Sequence, residues 1–390
     1  MNDNVKFREL KSGEEEEWDE FVFNNPNSRI FHLYHYQNLL KMPYKCQKFI
    51  HLVAKEGDEI VGIMPNYIAN RKMFSRGGIL VKERYDDLKT DFLRFVEKYI
   101  RSHNLFASFI YPDSTIPREQ LQFLRIYGYE EKISKTVILS LRPSLDEIWK
   151  NLNGKNRNAI RKAKKSGVKV VKAKRREDME DYYKLDVSAG KRKHRSFYPL
   201  SYYYDAWDIL KEHYHVMDVY FAELDGKRIA GVRVNKFNKR AYYSSGHFLA
   251  EYGKYQPNNL IHWTIISDLK EEGFETYELG LVGPDSPDPQ VRGIAHFKMS
   301  WGGDVLDYVT YIKYKSLLSK EIDQVMTLIP IGLRIIKRNL LEIKKKLRLP
   351  KIKGGIKKCL NLSESLIIQI SQSHSLSIRI LFLFLPLLPS

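Results

Sequence analysis

Lys298 follows Phe297 in the run Gly293-Ile-Ala-His-Phe-Lys-Met-Ser-Trp-Gly-Gly303, and Tyr277-Glu-Leu-Gly280 stands upstream of it. A lysine held between an apolar anchor and a glycine pair is a fixed cation. Near a strand end, such a cation can stabilise a carbonyl oxygen that gains negative charge as it turns tetrahedral. A lysine after a phenylalanine is more often a solvated surface residue, so the pair gains weight only from its surroundings. Tyr243 and Tyr277 fall on predicted strands and offer polar contacts to the same neighbourhood, although strand tyrosines more often pack a core.

Other candidates carry positive charge. Arg157, Arg161 and Lys164 follow one another at helical spacing and share a face. Such a face suits phosphate groups or is simply solvated. The run Lys191-Arg192-Lys193-His194-Arg195 reads as a loop. His213 and His215 flank Tyr214, and His32 and His35 lie near the N-terminus. No further ligands cluster beside them in sequence, so no metal site is expected.

The elements that position these residues follow from patterning. Thr276 to Leu279 reads as a short strand. Pro284, Pro287 and Pro289 mark a loop, and Gly293 opens a helical turn that Gly302-Gly303 end. Upstream, Val216–Leu224, Arg228–Asn235 and Lys239–Ser245 form a strand meander, followed by a helix capped by Asn258 and ended by Gly273. Ser144 and Glu147 form a capping box ahead of Ile148 and Leu152. A basic helix from Arg157 to Lys165 stops at Gly167. In the first part of the chain, residues 13–42 look helical apart from a turn at Asn25-Pro-Asn-Ser28. Strands are expected at Phe49–Ala54, Glu59–Tyr67, Leu105–Tyr111 and Lys135–Ser140, and helices at Asp87–Ser102 and Pro117–Gly128. The hairpin Ala54-Lys-Glu-Gly-Asp-Glu-Ile-Val-Gly-Ile63 returns as Ala222-Glu-Leu-Asp-Gly-Lys-Arg-Ile-Ala-Gly-Val232, which points to an internal duplication of one α+β unit.

Composition bounds the class. A chain of 390 residues exceeds one ordinary core. Cys46 and Cys359 are too far apart in sequence to indicate a disulfide framework or a cysteine zinc site. With an acidic, polar start they point to the cytoplasm, and no stretch reaches the roughly 20 apolar residues that span a bilayer. The net charge of +18 is local: residues 331–358 hold eleven Lys/Arg and one Glu, and 155–176 form a second basic block. Anionic partners at two places are implied. In the tail, Ile335, Ile336, Leu340, Leu341, Ile343 and Leu347 interleave with lysines. That pattern suits an amphipathic helix on an anionic membrane or a solvated basic tail.

Strand meander, helix and strand, in that order and duplicated, resemble the FemABX family, whose members carry two GNAT-like acyltransferase domains. The likeness rests on Trp149-Lys-Asn-Leu…Lys155-Asn-Arg157…Gly167-Val168, on Pro257-Asn-Asn-Leu…Trp263…Gly273…Tyr277-Glu-Leu-Gly280, and on Gly293-Ile…Phe297-Lys298…Trp301-Gly-Gly303. It implies an α+β fold of two tandem GNAT-like domains, 1–142 and a catalytic 143–315, with a basic amphipathic and apolar tail at 316–390. It implies transfer of an amino acid from aminoacyl-tRNA to a cell-envelope (peptidoglycan) precursor, without a bound cofactor. Lys298 and Tyr243 are then the catalytic candidates. Arg157, Arg161, Lys164, Tyr277, Phe297 and Trp301 are the substrate-binding ones. Related two-domain proteins use acyl-CoA on sugars or lipids, so the donor stays open. The loop Glu251-Tyr-Gly-Lys-Tyr-Gln-Pro-Asn has one glycine where CoA pyrophosphate binding wants several, which favours aminoacyl-tRNA. A non-catalytic RNA- or membrane-binding module on the same scaffold is the alternative of another class. The expected location is the cytoplasm, with peripheral contact at the inner face of the membrane through the tail.

Overall fold

Strands rich in β-branched and aromatic residues, several of them buried along their length, build one large sheet in the computed structural model, which describes residues 4–193, 195–324 and 326. Strand β1 (Val5–Glu9) leads through α1 (Glu15–Asn24) and two 3₁₀ turns to α2 (Lys41–Tyr44). The hairpin of β2 (Lys48–Glu56) and β3 (Glu59–Ala69) comes next. Then follow β4 (Lys72–Gly77), β5 (Leu80–Val81), α3 (Leu88–Ser102), β6 (Ala107–Pro112), α4 (Gln122–Ile126) and β7 (Glu130–Ser140). After α5 (Leu145–Asn151) and α6 (Gly154–Lys165) the order returns as β8 (Lys169–Lys172), α7 (Asp178–Lys193) and α8 (Leu200–Trp207). The second hairpin, β9 (Met217–Leu224) and β10 (Lys227–Phe237), precedes β11 (Arg240–Phe248), α9 (Pro257–Glu271), β12 (Thr276–Val282), α10 (Pro289–Met299) and β13 (Asp304–Tyr314).

Along the sheet the strands run β1-β2-β3-β4-β6-β13-β7-β12-β11-β10-β9-β8, with β5 beside β3. The duplication read from the two hairpins is written into this order. Each hairpin turns at a glycine with positive φ, Gly57 or Gly226, and each carries a bulge just past the turn. The two copies are interleaved at the centre. Strand β7, the last of the first half, is flanked by β12 and β13 of the second half, while β13 lies between β6 and β7. Residues up to His103 and Ser108–Lys313 form one compact unit; Asn104–Ala107 and the described residues from Tyr314 onward form another.

Local chemistry sets the ends of the elements. Ser144 and Glu147 make the expected reciprocal cap, the Ser144 amide donating to the Glu147 carboxylate at 2.8 Å and the Glu147 amide to the Ser144 hydroxyl at 3.3 Å. Ser144→Ala is expected to cost about 1 kcal/mol, read as a lower denaturation midpoint. Elsewhere the structure departs from the sequence pattern. Residues 26–42 are 3₁₀ turns and the short α2 rather than a long helix, because the Arg29 amide donates to His32 Nδ1 (2.9 Å) and closes a tight turn. Lys191–Lys193 are the last turn of α7, not a loop. Helix α9 starts at Pro257 behind a left-handed Gln256. Helix α10 starts at Pro289 rather than Gly293, since Asp288 accepts from the Gln290 amide at 2.8 Å. The basic segment 331–358 and the apolar stretch 380–388 lie outside the described residues.

Candidate active site

Strands β11 and β12 are parallel and pair over only three residues, Arg240–Tyr242 with Thr276–Glu278, before they part. Alternation sends Tyr277 and Leu279 into the core, while Glu278 and Gly280 face the other way. They face a cavity of about 560 Å³. Its walls come from the first half (Phe31, Tyr36, Arg76) and from α7, α8, β10 and β11 of the second.

Lys298 returns to this place from α10. Its ammonium donates to the Leu281 carbonyl at 2.9 Å and sits 5.8 Å from the centroid of the Tyr243 ring. It also lies 3.5 Å from where a Cβ on Gly280 would stand; both Gly280 and Tyr243 line the cavity. Gly280 has φ +81°, so the backbone conformation calls for glycine there. Burial lowers the lysine's proton affinity, and Glu278 opposes that effect.

The helix carrying Lys298 is pinned from below. Asn156 of α6 donates to the Ser300 carbonyl (3.0 Å) and hydroxyl (2.9 Å), and Asn259 of α9 donates to the Asn156 side chain (3.0 Å). The glycine pair that ends the helix permits close approach. A Cβ on Gly302 would stand 2.9 Å from the Asn151 carbonyl oxygen, and one on Gly303 2.7 Å from that of Ile138.

Tyr277, Phe297 and Trp301 gather around His262. The Tyr277 hydroxyl and His262 Nδ1 are 3.1 Å apart, and ring centroids of Tyr243, Phe297 and Trp301 lie 4.9, 5.3 and 5.4 Å from the imidazole. Tyr277 and Trp301 are fully buried. Burial, with Lys298 nearby, pushes His262 down to about 3, so it stays neutral. Burial pushes Tyr243 up to about 12. These rings pack on one another as a floor beside the lysine, whose ammonium lies 5.8 Å from the Tyr243 ring centroid.

The basic face of α6 is not brought to the cavity lining. Arg157 donates to the Lys150 carbonyl (2.8 Å) and to that of Leu152 at the end of α5, Arg161 stacks 5.4 Å over Trp149, and Lys164 is exposed. The cavity gathers other charges instead: Arg76, Lys193, Arg195 and Arg233 against Asp186 and Glu278. Arg195 and the Tyr203 hydroxyl both bind the Asp186 carboxylate.

Glu278 escaped assignment from sequence, although it stands inside the Tyr277-Glu-Leu-Gly280 motif. It accepts from Thr136 Oγ1 at 2.9 Å, across from β7, and makes no ion pair among the described residues. Burial, then the nearby Asp113 carboxylate, push it up to about 7; hydrogen bonds from Thr136 and Ser114, and then Lys298, pull the other way. Strand alternation alone could have turned this side chain away from the core.

The chain is thus a double α+β unit whose parallel strand pair opens beside a lysine. Residues 151–299 match the family model described as "Acetyltransferase (GNAT) domain". The structure is similar to that of FemX, at 17% identity and TM-score 0.66 over 82% of this chain and 99% of the other. It is also similar to the C-terminal domain of a putative lysylphosphatidylglycerol synthetase from Agrobacterium fabrum, at 13% identity and TM-score 0.55 over 82% and 95%. A tandem GNAT protein from the clavulanic acid biosynthesis pathway follows at 12% identity and TM-score 0.50, over 80% and 99%. No curated protein sequence matches the chain. The fold is FemABX-like: two GNAT-like units in tandem.

Proposed function

We propose that this chain is an acyltransferase that forms an amide bond, moving an aminoacyl group from aminoacyl-tRNA to an amine on a cell-envelope precursor. The observation that carries the reading is the Lys298 ammonium, tethered to the Leu281 carbonyl beside a cavity lined by Tyr243 and Gly280. A cation fixed before the reaction stabilises the oxyanion without reorganising. Lys298 has this role; Tyr243 shapes the floor beneath it, and Tyr277, Phe297 and Trp301 hold that floor rigid. The two units are taken as 1–142 and 143–315, the second carrying the lysine and the first supplying cavity wall.

Two features favour charged tRNA as donor. The loop before α9 is a 3₁₀ turn in which the amides of Tyr252, Gln256 and Asn259 bond to the carbonyls of Leu249, Gly253 and Gln256. Those amides are not available to cradle a pyrophosphate. Arg161 and Lys164 are exposed and suit the polyanion, whereas Arg157 is engaged at the end of α5. Resemblance to FemX and to lysylphosphatidylglycerol synthetase agrees with an envelope acceptor. The match to a GNAT acetyltransferase model favours the second reading, acyl-CoA-dependent transfer to a sugar, lipid or polyamine-type amine. Among the described residues no helix is long and apolar enough to cross a membrane, and contact through the basic tail remains part of the proposal.

Thermal unfolding of the full chain with each donor tests this. A ligand at 100 times its dissociation constant adds about 2.7 kcal/mol, so aminoacyl-tRNA is expected to raise the midpoint by several degrees and acetyl-CoA to leave it unchanged. The reverse result moves the protein to the second reading. A rise with uncharged RNA, with no transfer from either donor, makes it a binding module.

A further inference from the structure

Glu278 stands where β12 leaves β11, opposite the last paired residue, Tyr242. It lines the cavity that Gly280 and Tyr243 also line, two residues before the glycine against which the Lys298 ammonium rests. A carboxylate with a structural job at a strand junction is normally consumed by a cation or by several donors. This one meets only hydroxyls, Thr136 at 2.9 Å and Ser114, and makes no ion pair among the described residues. The adjoining carboxylate shows the contrast: Asp113 is saturated by Arg29 (2.8 Å), Arg240 (2.8 Å) and Thr115.

We propose that Glu278 is a catalytic residue that accepts the proton from the attacking amine and delivers it to the leaving oxygen. The inference rests on the acyl-transfer reading above and adds the proton path to it. The neutral amine of the acceptor attacks the ester carbonyl of the donor, and a C–N bond forms. The carbonyl electron pair moves onto oxygen, beside Lys298. One N–H proton passes to the Glu278 carboxylate. When the carbonyl re-forms, the C–O ester bond breaks, and the leaving oxygen takes the proton from the Glu278 carboxyl. Atoms and charges balance, and no co-reactant is needed.

The surroundings suit a group that must both take and give a proton near neutrality. Facing Glu278 are Asp113 at the end of β6, with its partners Arg29 and Arg240, and Lys298 on α10. Tyr242 on β11 and Tyr308 on β13 sense its charge as well. Burial and then Asp113 favour the protonated form, the Thr136 and Ser114 hydroxyls and Lys298 the ionised one, and the balance falls at about 7.

The test uses the full chain, tRNA charged with mixed amino acids, and Nα-acetyl-lysine amide as amine probe, from pH 5.5 to 9. The wild-type rate is expected to rise through a midpoint near 7. Glu278→Gln, an isosteric change, is expected to lose about 10²- to 10⁴-fold and the midpoint with it, while Glu278→Asp keeps a weakened pH response. In Lys298→Ala the residual transfer is expected to keep the midpoint but at higher pH, because the cation that favours ionised Glu278 is gone. A Glu278→Gln enzyme with wild-type rate and midpoint overturns the proposal and leaves the acyl-transfer reading standing if Lys298→Ala is still impaired. Absence of transfer by the wild type from tRNA and from acetyl-CoA overturns both.

Discussion

Lys298→Ala is expected to lower the turnover of acyl transfer by about 10²- to 10³-fold, the cost of removing one preorganised oxyanion donor, with little change in KM. The split matters because a group that meets charge only in the transition state acts on kcat. Stability should hardly change. Among the described residues the ammonium donates to the Leu281 carbonyl alone, and burial already works against its charge. Arginine should not substitute: a planar guanidinium is wider and spreads its charge, where the lysine presents a compact point charge. Steady-state kinetics with an unfolding curve for each variant decide the matter. A kcat within twofold of wild type would remove the lysine from the mechanism.

Asp113→Ala is expected to be the most damaging single change to the fold, at about 3–5 kcal/mol. The carboxylate side chain is 3% exposed and joins Arg29 of the first half to Arg240 of β11 at 2.8 Å each. Arg29 is equally buried, so deleting the acid strands a guanidinium away from water. Burial pushes Asp113 up, yet Arg29 and Arg240 together hold it below the usual aspartate range. A depressed acid stabilises the fold above its unfolded pKa and loses that contribution as pH falls through the folded value. The penalty should therefore be full at pH 7 and shrink in acid. Urea unfolding at several pH values measures it, and a neutral-pH loss below about 1 kcal/mol would contradict the role given to this cluster.

Much of this arrangement was legible before any coordinates. Local rules found the Ser144 cap, the meander ahead of α9, and the glycine pair behind Lys298, because each depends on residues a few positions apart. The repeated hairpin gave the duplication for the same reason. Strand β13 was missed, although Asp304–Tyr314 is rich in β-branched and aromatic residues. Its outer end is exposed and its inner end buried, so no single alternation runs through it. Residues 26–42 misled because apolar spacing cannot tell successive 3₁₀ turns from one helix. Arg76, Arg195 and Arg233 meet at the cavity from separate elements, and no spacing in sequence announces that. Glu278 was visible as a letter in a motif; its solitude depends on Thr136, 142 residues away.

The interleaving of β7 and β13 fixes when the molecule becomes competent. During synthesis β7 leaves the ribosome long before β12 and β13 exist, and Lys135 must wait for Asp307, 172 residues later. Until then the edges of β6 and β7 stand open, a template for wrong pairing. Such distant pairings form late and slowly. Glu278 meets Thr136, and β13 anchors the chain beyond α10, only in that last closure, so a nascent or truncated chain has no working centre to misfire.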